Sequence, residues 1–414
     1  MSAMRNNEKS PGEMRIFSAL ASYRTARDTA LKLCKPVVET EEIPIAASSG
    51  RVIMNGVSAP FDVPSTDRAA MDGYAVNADD LPGSTGDVCS VELDVLGRVL
   101  AGNLGTSVMK SGQCWELATG SQLPVGADAI VPVEQTTCID ARLTVLATVN
   151  QGDHVSMRGE DLRKGDIVVN AGAVSSPSIA AALASIGIGT IAVRRKPRVL
   201  LVPNGDEIVP LGGGIEPGQV YDSNSVALQA LLESNGAIVR RTEIVRDDPS
   251  ALIEGVSADD ADLVVTLGGT SVGRHDLVVD VVEKMGEVLV HGVAIKPGKP
   301  VLVGRIGRVP ILGLPGFPTS CLFTGYLFAE PMVRMLSGVP LDHRLRADAL
   351  LTRTVNSPPG KRQFVSVQVD GEQASPVYRA SSTITSMSRA NGWIEIPEEI
   401  TELTAGNEVE VTFF

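Results

Sequence analysis

The sequence predicts a multidomain protein of α/β and β class, built around a doubly wound parallel sheet. Apolar strands alternate with helical segments over about 140 residues after Pro197, which is the pattern of a parallel sheet covered on both faces. Short β-like runs separated by glycines occupy residues 88–150 and return after residue 339. These runs predict a small β domain and a C-terminal domain that resembles a β-barrel. At roughly 150 residues per domain, 414 residues suggest two to four domains.

The elements before Pro197 follow from hydrophobic periodicity and from turn residues. Helical spacing predicts a helix over residues 14–33, and prolines and glycines predict turns and short extended pieces over 43–63. A short helix is predicted at 178–185. The β-like runs of the small domain are VCSVELDVLG, GQCWELATG, ADAIVPVEQ and ARLTVLATV.

The α/β region begins with the strand RVLLV, which ends at PNGDE. Asp222 or Ser223 is the predicted N-cap of the next helix, and Gly236 ends that helix. Its inward residues are predicted to be Val226, Ala227, Ala230 and Leu231. The elements that follow are strand AIVRRTEIV, helix ALIEGV, strand DLVVTL, helix DLVVDVVEKMG and strands VLVGRI and VPILGL, and then the C-terminal β runs FVSVQVD, GWIEIP and EVEVTFF.

Composition excludes several classes of function. A hydrophobic share of 43% with 21% charged residues is typical of a soluble globular protein. A net charge of −13 and an aromatic content of 4% argue against binding of nucleic acid or of an anionic membrane. The most apolar stretch, residues 179–193, is interrupted by polar residues and is too short to span a bilayer. No signal peptide is recognisable, so a cytoplasmic location is expected.

The cysteines and histidines do not favour a zinc site. The five cysteines form no C-x-x-C pair, and the four histidines have no H-x-x-x-H spacing. A reducing compartment is the simplest expectation for such a set.

Four glycine- and proline-rich motifs are predicted at the carboxyl ends of the strands, where open α/β sheets bind ligands. Glycines let backbone amides approach an anion, and lysine and serine side chains add charge and hydrogen bonds. Taken singly, each motif also fits an ordinary turn. The four are Pro203–Glu207, Gly268–Gly273, Lys296–Pro300 and Gly313–Ser320. Together they predict a site for a small oxyanion, although no Walker loop or dinucleotide fingerprint is present.

Carboxylates form a second layer of the predicted site. Asp206, Glu207 and Asp276 belong to the same set of strand ends, and Asp72 lies far away in the sequence. Magnesium prefers one or two carboxylates together with phosphate oxygens, so this set suits a metal bound to a phosphate. The alternative for Asp276 is the N-cap of the helix that it precedes.

The motifs, in order along the chain, resemble those of the molybdopterin molybdenumtransferases, the family of MoeA and the gephyrin E domain. The similarity covers about residues 14–414. The runs that carry it are AAMDGYA, ATG followed by LPVGADAIVP, RGED, NGDEI, YDSN, GGTSVG-x-x-D, AIKPGKP and GLPGFPTS.

The resemblance implies a fold, an assembly and a reaction. It implies an elongated homodimer whose active site is shared between subunits, in which molybdate and adenylylated molybdopterin react with Mg²⁺ to give molybdenum cofactor and AMP. Molybdopterin adenylyltransferase and molybdenum enzymes are the implied partners. The implied subdomains are a discontinuous linker (12–65 and 160–196), a small β-rich subdomain (66–159), the α/β molybdopterin-binding domain (197–338) and a C-terminal β domain (339–414).

By motif match, the resemblance also implies the site residues. The catalytic set is Asp72, Thr119, Asp161, Glu207, Asp247 or Asp248, and Asp276, of which Glu207 and Asp276 would hold Mg²⁺. The set that binds the pterin phosphate or molybdate is Gly269, Ser271, Gly273, Lys296, Lys299, Pro300, Ser320, Arg362 and Ser382.

Two positions depart from the family pattern. Ser366 and Gly292 stand where relatives often carry an arginine and a lysine, which leaves Arg362 or Lys361 as a replacement cation. The departures motivate a second hypothesis, a gephyrin-like scaffold that kept the fold without the chemistry. A third hypothesis, a paralogue that inserts tungstate, is not separable by sequence because the two oxyanions have the same charge and nearly the same size.

Overall fold

The structure, a computed structural model, describes residues 19–81, 90–102, 108–257, 260–269, 276–378 and 380–414. The chain forms two compact units. The main unit consists of Met1–Glu41 and Arg194–Phe414, and the insert unit consists of Glu42–Val193. The insert is therefore a continuous segment placed within the sequence of the main unit.

The elements up to the end of the insert unit are mostly short strands, with three single turns of 3₁₀-helix at Ile45–Ala47, Ala78–Asp80 and Val133–Gln135. The helices are α1 (Tyr23–Leu33) and α2 (Pro177–Ser185). The strands are β1 (Thr40–Pro44), β2 (Val57–Ser58), β3 (Arg68–Ala69), β4 (Gly73–Val76), β5 (Val91–Val99), β6 (Gln113–Leu117), β7 (Ala129–Pro132), β8 (Thr136–Ile139), β9 (Arg142–Val145), β10 (Val155–Ser156), β11 (Ile167–Val169) and β12 (Thr190–Arg194).

A six-stranded sheet of order β7-β4-β6-β5-β9-β8 is the centre of the insert unit. The predicted small β domain is thereby confirmed. Strand β4 pairs with both β6 and β7, although its sequence, GYAV, was read only as part of a motif. Apolar side chains cover both faces of the sheet, with Leu93 and Leu143 in one core and Leu117 and Ile130 in the other. A separate core around Leu183 joins α2 to β2, β11 and β12.

The main unit continues with alternating strands and helices and ends in strands. Its helices are α3 (Ser223–Ser234), α4 (Pro249–Val256), α5 (Leu277–Met285), α6 (Pro318–Thr324), α7 (Glu330–Ser337) and α8 (Thr385–Ser388), and a π-helical turn, Gly325–Ala329, joins α6 to α7. Its strands are β13 (Arg198–Pro203), β14 (Ile208–Val209), β15 (Val220–Tyr221), β16 (Ile238–Arg241), β17 (Leu263–Leu267), β18 (Gly286–His291), β19 (Ile295–Lys296), β20 (Leu302–Ile306), β21 (Val309–Leu314), β22 (Arg346–Leu351), β23 (Val355–Asn356), β24 (Arg362–Asp370), β25 (Gln373–Pro376), β26 (Gly392–Ile396), β27 (Glu402–Leu403) and β28 (Glu408–Phe413).

The α/β part of the main unit is a doubly wound sheet of order β16-β13-β17-β21-β20-β18. Its first four strands are parallel, as predicted. Strand β20 runs antiparallel to β21, and β18 runs antiparallel to β20, so β18 has the same direction as the first four strands. Strand β18 was not predicted, because it begins at Gly286, directly after the last residue of α5, and no loop separates the helix from the strand. One face of the sheet packs on a core that includes Leu228 and Phe328, and the other packs on Leu252 and Val282.

The C-terminal strands form a closed barrel of five strands. The order β24-β25-β22-β28-β26 is closed by the pairing of β26 with β24, and β19 adds to the outside of β24. The three predicted β runs correspond to β24, β26 and β28. Strands β22 and β25, which complete the closure, carry weaker apolar patterns and were not predicted.

A buried ion pair lies where α7 meets the start of the barrel. The side chain of Glu330 is 2% exposed and accepts a hydrogen bond from Arg344, whose side chain is 14% exposed. The guanidinium of Arg344 also lies over the rings of Tyr326 and Trp393, at 4.9 and 5.3 Å from their centroids. This residue therefore combines charge pairing with cation–π contacts at the junction.

Two local predictions were wrong in detail. Helix α1 begins at Tyr23 instead of residue 14, because Ser22 is its N-cap and accepts a hydrogen bond from the amide of Thr25; residues up to 18 lie outside the described part. In α3, Val226 is 44% exposed, and the buried positions include Leu228 and Leu232. Asp222 is confirmed as the N-cap of that helix.

Among the described residues, no helix has both the length and the apolar character needed to cross a membrane.

Candidate functional site

A cavity of about 820 Å³ opens at the carboxyl edge of the parallel strands of the main unit. It is walled by the loops that follow three strands, by the start of α3, by the lysine-containing segment before β20 and by two segments of the barrel. The lining includes Asn204, Gly205, Glu207, Tyr221, Asp222, Asn224, Asp247, Gly268, Gly269, Lys296, Pro297, Gly298, Lys299, Pro300, Gly316, Phe317, Ser320, Lys361, Tyr378, Ser381 and Ser382.

Three of the four predicted motifs reach this cavity from strand ends, as expected. Strands β13, β17 and β21 are parallel neighbours, so the loops after Pro203, Leu267 and Leu314 emerge side by side. The amide nitrogen of Gly268 donates to the carbonyl of Leu314 at 3.0 Å, which joins two of these loops.

The fourth motif, Lys296–Pro300, reaches the cavity by a different route. It does not follow a strand of the α/β sheet: β19 pairs with β24 of the barrel, and the motif then precedes β20. Because β20 is antiparallel to β21, its amino end lies at the same edge as the carboxyl end of β21. Gly298 has a φ of +104°, and a Cβ there would collide with Thr324, so this turn requires glycine.

The barrel supplies the remaining wall. The register of β19 with β24 pairs Ile295 with Arg362, which brings the preceding Lys361 beside the lysine segment. Ser381 and Ser382 are held by Thr319, whose amide donates to the carbonyl of Ser381 at 3.0 Å. Lys296 and Lys361 form no hydrogen bond or ion pair within the described part of the chain, so both charges are available to a ligand.

Arg362 does not line the cavity, and its side chain pairs with carboxylates of the barrel. Its guanidinium hydrogen-bonds to Glu398, at 2.9 Å between Nη2 and Oε2, and also to Glu395. The hydrogen bond that Arg362 donates to Glu398 raises the pKa of Arg362, and burial acts in the opposite direction. Of the two replacement cations that the sequence left open, Lys361 is the one in the cavity wall. Ser366 is fully buried in β24, where its hydroxyl has no partner within the described residues.

Carboxylates enter the cavity from a different set of loops than the lysines. Glu207 and Asp247 line the cavity and are exposed. The backbone amide of Asp247 donates a hydrogen bond to the carboxylate of Asp206 at 3.3 Å. Asp222 also lines the cavity, where its carboxylate accepts from the amide of Ser225 at 3.0 Å as the N-cap of α3. The cavity therefore has a cationic side and an acidic side.

Asp276 is not among the described residues that line the cavity. It is 1% exposed, caps α5 by accepting from the amide of Val279 at 3.3 Å, and lies 2.8 Å from Nε2 of His291. The capping role considered from sequence is therefore present. Within the described part, no three His, Cys, Asp or Glu side chains form a metal-binding cluster. Ser271 and Gly273 lie outside the described residues.

The insert unit brings together two of its three predicted site residues. Asp72 accepts hydrogen bonds from the amide of Thr119 at 2.7 Å and from its hydroxyl at 2.6 Å. Both bonds lower the pKa of Asp72, because both stabilise the charged carboxylate, and the bond from the hydroxyl has the larger effect. Asp161 is exposed, and its amide donates to the carbonyl of Val63 at 3.1 Å. Within the described residues, it forms no hydrogen bond with Asp72 or Thr119.

Replacing Thr119 by valine is expected to raise the pKa of Asp72 toward the ordinary aspartate value. The change removes the hydroxyl donor and leaves the amide donor, so the charged form loses one of two stabilising bonds. NMR titration of the Asp72 carboxyl carbon measures this shift. In wild type, these two bonds contribute fully to the free energy of unfolding when the pH is above the ordinary aspartate pKa. The contribution is lost as the pH falls through the lowered pKa of Asp72 in the folded protein. An unchanged titration midpoint in Thr119→Val would contradict this assignment.

Several cavity residues were missed by the sequence analysis. Asn204 lies within a quoted motif but was not singled out, and Tyr221, Phe317 and Tyr378 were not considered as ligand contacts. Phe317 is 62% exposed, which is unusual for a phenylalanine in a loop bounded by prolines. The position of Phe317 directly after the GLPG turn, at a predicted strand end, could have indicated that it lines the site.

The fold and the cavity together define a multidomain α/β protein whose sheet edge carries a cavity lined by lysines, serines and carboxylates. Three family models match the chain in sequence order. They are the MoeA N-terminal region (domains I and II) at residues 21–187, a probable molybdopterin binding domain at 201–335 and the MoeA C-terminal region (domain IV) at 348–414.

Curated relatives and solved structures agree with these matches. Molybdopterin molybdenumtransferase 2 of Mycobacterium tuberculosis is 33% identical over 92% of this chain and 96% of its own length. The molybdopterin molybdenumtransferase of Haemophilus influenzae is 31% identical over 94% of this chain and 97% of its own length. A molybdopterin biosynthesis MoeA protein from Pyrococcus horikoshii superposes with a TM-score of 0.81, at 35% identity, over 95% of this chain and 99% of that structure. The chain belongs to the MoeA family of molybdopterin molybdenumtransferases.

Proposed function

We propose that this protein inserts molybdenum from molybdate into adenylylated molybdopterin, forming molybdenum cofactor and releasing AMP. The observation that carries the proposal is a single cavity that combines serine hydroxyls and carboxylates with two lysines that have no partner among the described residues. A scaffold without chemistry has no physical need for this combination. The curated relatives are named as transferases, so the scaffold hypothesis is not favoured.

Lys296 and Lys361 would hold the molybdate dianion, and Ser320 and Ser382 would donate hydrogen bonds to its oxygens. Ser320 is 5% exposed and lines the cavity, so its hydroxyl lies in a partly desolvated place where a charge-assisted bond is strong. Lys299 and Pro300 belong to the same turn. The backbone of Gly269 would approach the substrate phosphate closely, as a residue without a side chain can.

Magnesium fits the acidic side of the cavity. Glu207 and Asp247 supply two carboxylates, and phosphate oxygens of the substrate would complete the coordination sphere. Bound there, Mg²⁺ would neutralise charge on the diphosphate linkage. Asp247 replaces Asp276 in this proposal, because Asp276 is buried against His291 and the start of α5. Asp276 would then act as the N-cap of α5.

Asp72, Thr119 and Asp161 of the insert unit are proposed to act in the same reaction from the partner subunit of a homodimer. Their exposure supports a role toward a substrate, because exposed carboxylate and hydroxyl groups can contact one. The lowered pKa of Asp72 favours its charged form. We also propose a cytoplasmic location, and a molybdopterin adenylyltransferase and molybdenum enzymes as partners. The four-subdomain division is supported by separate cores in the linker part, the small sheet and the barrel.

The direct test is release of AMP from adenylylated molybdopterin in the presence of Mg²⁺, measured with and without molybdate. Release that depends on molybdate is the expected result. A protein that binds the substrate but releases no AMP on addition of molybdate would contradict the proposal. Adding tungstate in a parallel reaction separates the two oxyanions.

Neutralising Lys361 and Arg362 should have different consequences. Lys361→Ala is expected to weaken molybdate binding by about 10-fold or more, because it removes one of the two cavity lysines that have no partner in the described part of the chain. For the same reason, the melting temperature should stay nearly unchanged. Arg362→Ala should instead lower the melting temperature, because it leaves Glu395 and Glu398 without their partner. Molybdate affinity and thermal unfolding of both variants measure this. Loss of affinity in Arg362→Ala alone would contradict the placement of Lys361.

A further inference from the structure

Asn204 is a buried amide without partners in the wall of the cavity. It directly follows β13, is 2% exposed and lines the cavity. Within the described residues, neither its Nδ2 nor its Oδ1 has a hydrogen-bond partner. An unpaired buried amide costs free energy, and a ligand that pairs with both atoms recovers it. This residue therefore points to a ligand group that can accept and donate.

The surroundings fix Asn204 in place beside a second loop. A Cβ on Gly269 would stand only 2.5 Å from Nδ2 of Asn204, so the glycine turn lies directly against the amide. A Cβ added to Gly316 would lie 3.7 Å from Cα of Gly268, so these two turns are in contact. The side-chain amide of Asn224 donates to the carbonyl of Gly316 at 2.8 Å. The loops that carry Asn204 and Gly316 thus form one continuous wall.

Aromatic side chains are concentrated at the same cavity. Only 4% of the residues are aromatic, yet Tyr221, Phe317 and Tyr378 all line it. Phe317 directly follows Gly316 and is 62% exposed. Tyr221 is 37% exposed and donates its hydroxyl proton to the carbonyl of Gly213 at 2.6 Å. An exposed ring at a cavity mouth is suited to stack on a flat ligand ring.

We propose that Asn204 and Phe317 form a subsite for a planar heterocycle that carries a donor and an acceptor on adjacent atoms. Asn204 pairs with the edge of the heterocycle through its carbonyl and amino groups, and Phe317 covers a face. The inference rests on the proposed function, because adenylylated molybdopterin carries two such rings, a pterin and an adenine. Both rings have the required chemistry, so the test separates them.

The test is binding of AMP and of molybdopterin, each alone, to the full-length Asn204→Leu variant. Binding of the ring held by the subsite is expected to weaken about 10- to 100-fold, since one or two buried hydrogen bonds are lost. The melting temperature should stay the same or rise, because leucine replaces an unpartnered amide of similar shape. A merely structural role for Asn204 would lower it. Phe317→Leu should weaken the same ligand about 3- to 10-fold, and Phe317→Trp should preserve binding.

Two variants outside the cavity wall are matched controls. Thr266→Val removes a buried hydroxyl that, like the amide of Asn204, has no partner in the described part, and Phe61→Leu replaces another exposed phenylalanine. Both should bind AMP and molybdopterin as wild type does. Weaker binding of either ligand in Asn204→Leu, with these controls unaffected, supports the subsite.

The subsite is overturned if Asn204→Leu binds both ligands as tightly as wild type, or if wild type binds neither. Failure of the proposed function has a different signature, which is ligand binding by wild type without molybdate-dependent release of AMP. If wild type binds a ligand but releases no AMP, and Asn204→Leu loses that binding, the subsite is supported and the transferase activity is rejected.

Discussion

Lys296→Ala is expected to lower kcat/KM for molybdenum transfer by about 10²- to 10³-fold, the loss typical when one preorganised donor to a reacting oxyanion is removed. Lys296 lines the cavity between the glycine turns and the barrel and has no partner within the described residues. Its positive charge is therefore directed to a ligand and not to the stability of the fold. Steady-state release of AMP, measured over a range of molybdate concentrations, determines the effect.

A matched control separates this effect from a general loss of charge. Lys284→Ala removes a lysine that is exposed in the last turn of α5 and does not line the cavity, so it should keep wild-type activity. The melting temperature of Lys296→Ala should be close to that of wild type. Full activity in Lys296→Ala would reject the placement of the oxyanion.

Arg344→Met is expected to destabilise the protein by about 3–5 kcal/mol, because it leaves a buried carboxylate with only His343, at 2.9 Å between Nε2 and Oε1, beside it. Glu330 has a side chain that is 2% exposed, so it cannot regain hydration when the guanidinium is removed. The cation–π contacts with Tyr326 and Trp393 are lost as well. Urea unfolding, followed by the fluorescence of Trp393 and Trp115, measures the change.

An exposed ion pair in the same unit provides the comparison. Arg305 and Glu287 pair at 2.8 Å with side chains that are 52% and 49% exposed, so Arg305→Met should change stability by about 0.5 kcal/mol or less. Equal effects of Arg305→Met and Arg344→Met would contradict the role assigned to burial. A double variant, Arg344→Met with Glu330→Leu, should recover much of the stability lost in the single variant, because no buried charge remains unpaired.

The parts of the fold that have strong local signals could be predicted from sequence. Apolar strands such as β13, β17 and β21 lie in the centre of a sheet, where both faces are buried, and their sequences are continuously apolar. The N-cap Asp222 and the glycine turns also have recognisable local chemistry. From these features, the sequence predicts the edge of the sheet at which the cavity lies.

The remaining features depend on contacts between distant segments. Lys361 reaches the cavity only because β19 leaves the α/β sheet and pairs with the barrel strand β24, a pairing that no local pattern predicts. Arg362, its neighbour, points instead to Glu395 and Glu398, which are more than 30 residues away in the sequence. The burial of Asp276 against His291 likewise depends on strand β18, which was not predicted.

The most direct measurement is the position of molybdate in the protein, found by anomalous X-ray scattering at the molybdenum edge from crystals soaked in molybdate. The expected result is one strong peak within contact distance of Lys296 and Lys361, near the hydroxyls of Ser320 and Ser382, that disappears in Lys296→Ala. A peak elsewhere in the molecule, or one that persists unchanged in Lys296→Ala, would contradict the assignment of this cavity as the site of molybdenum transfer.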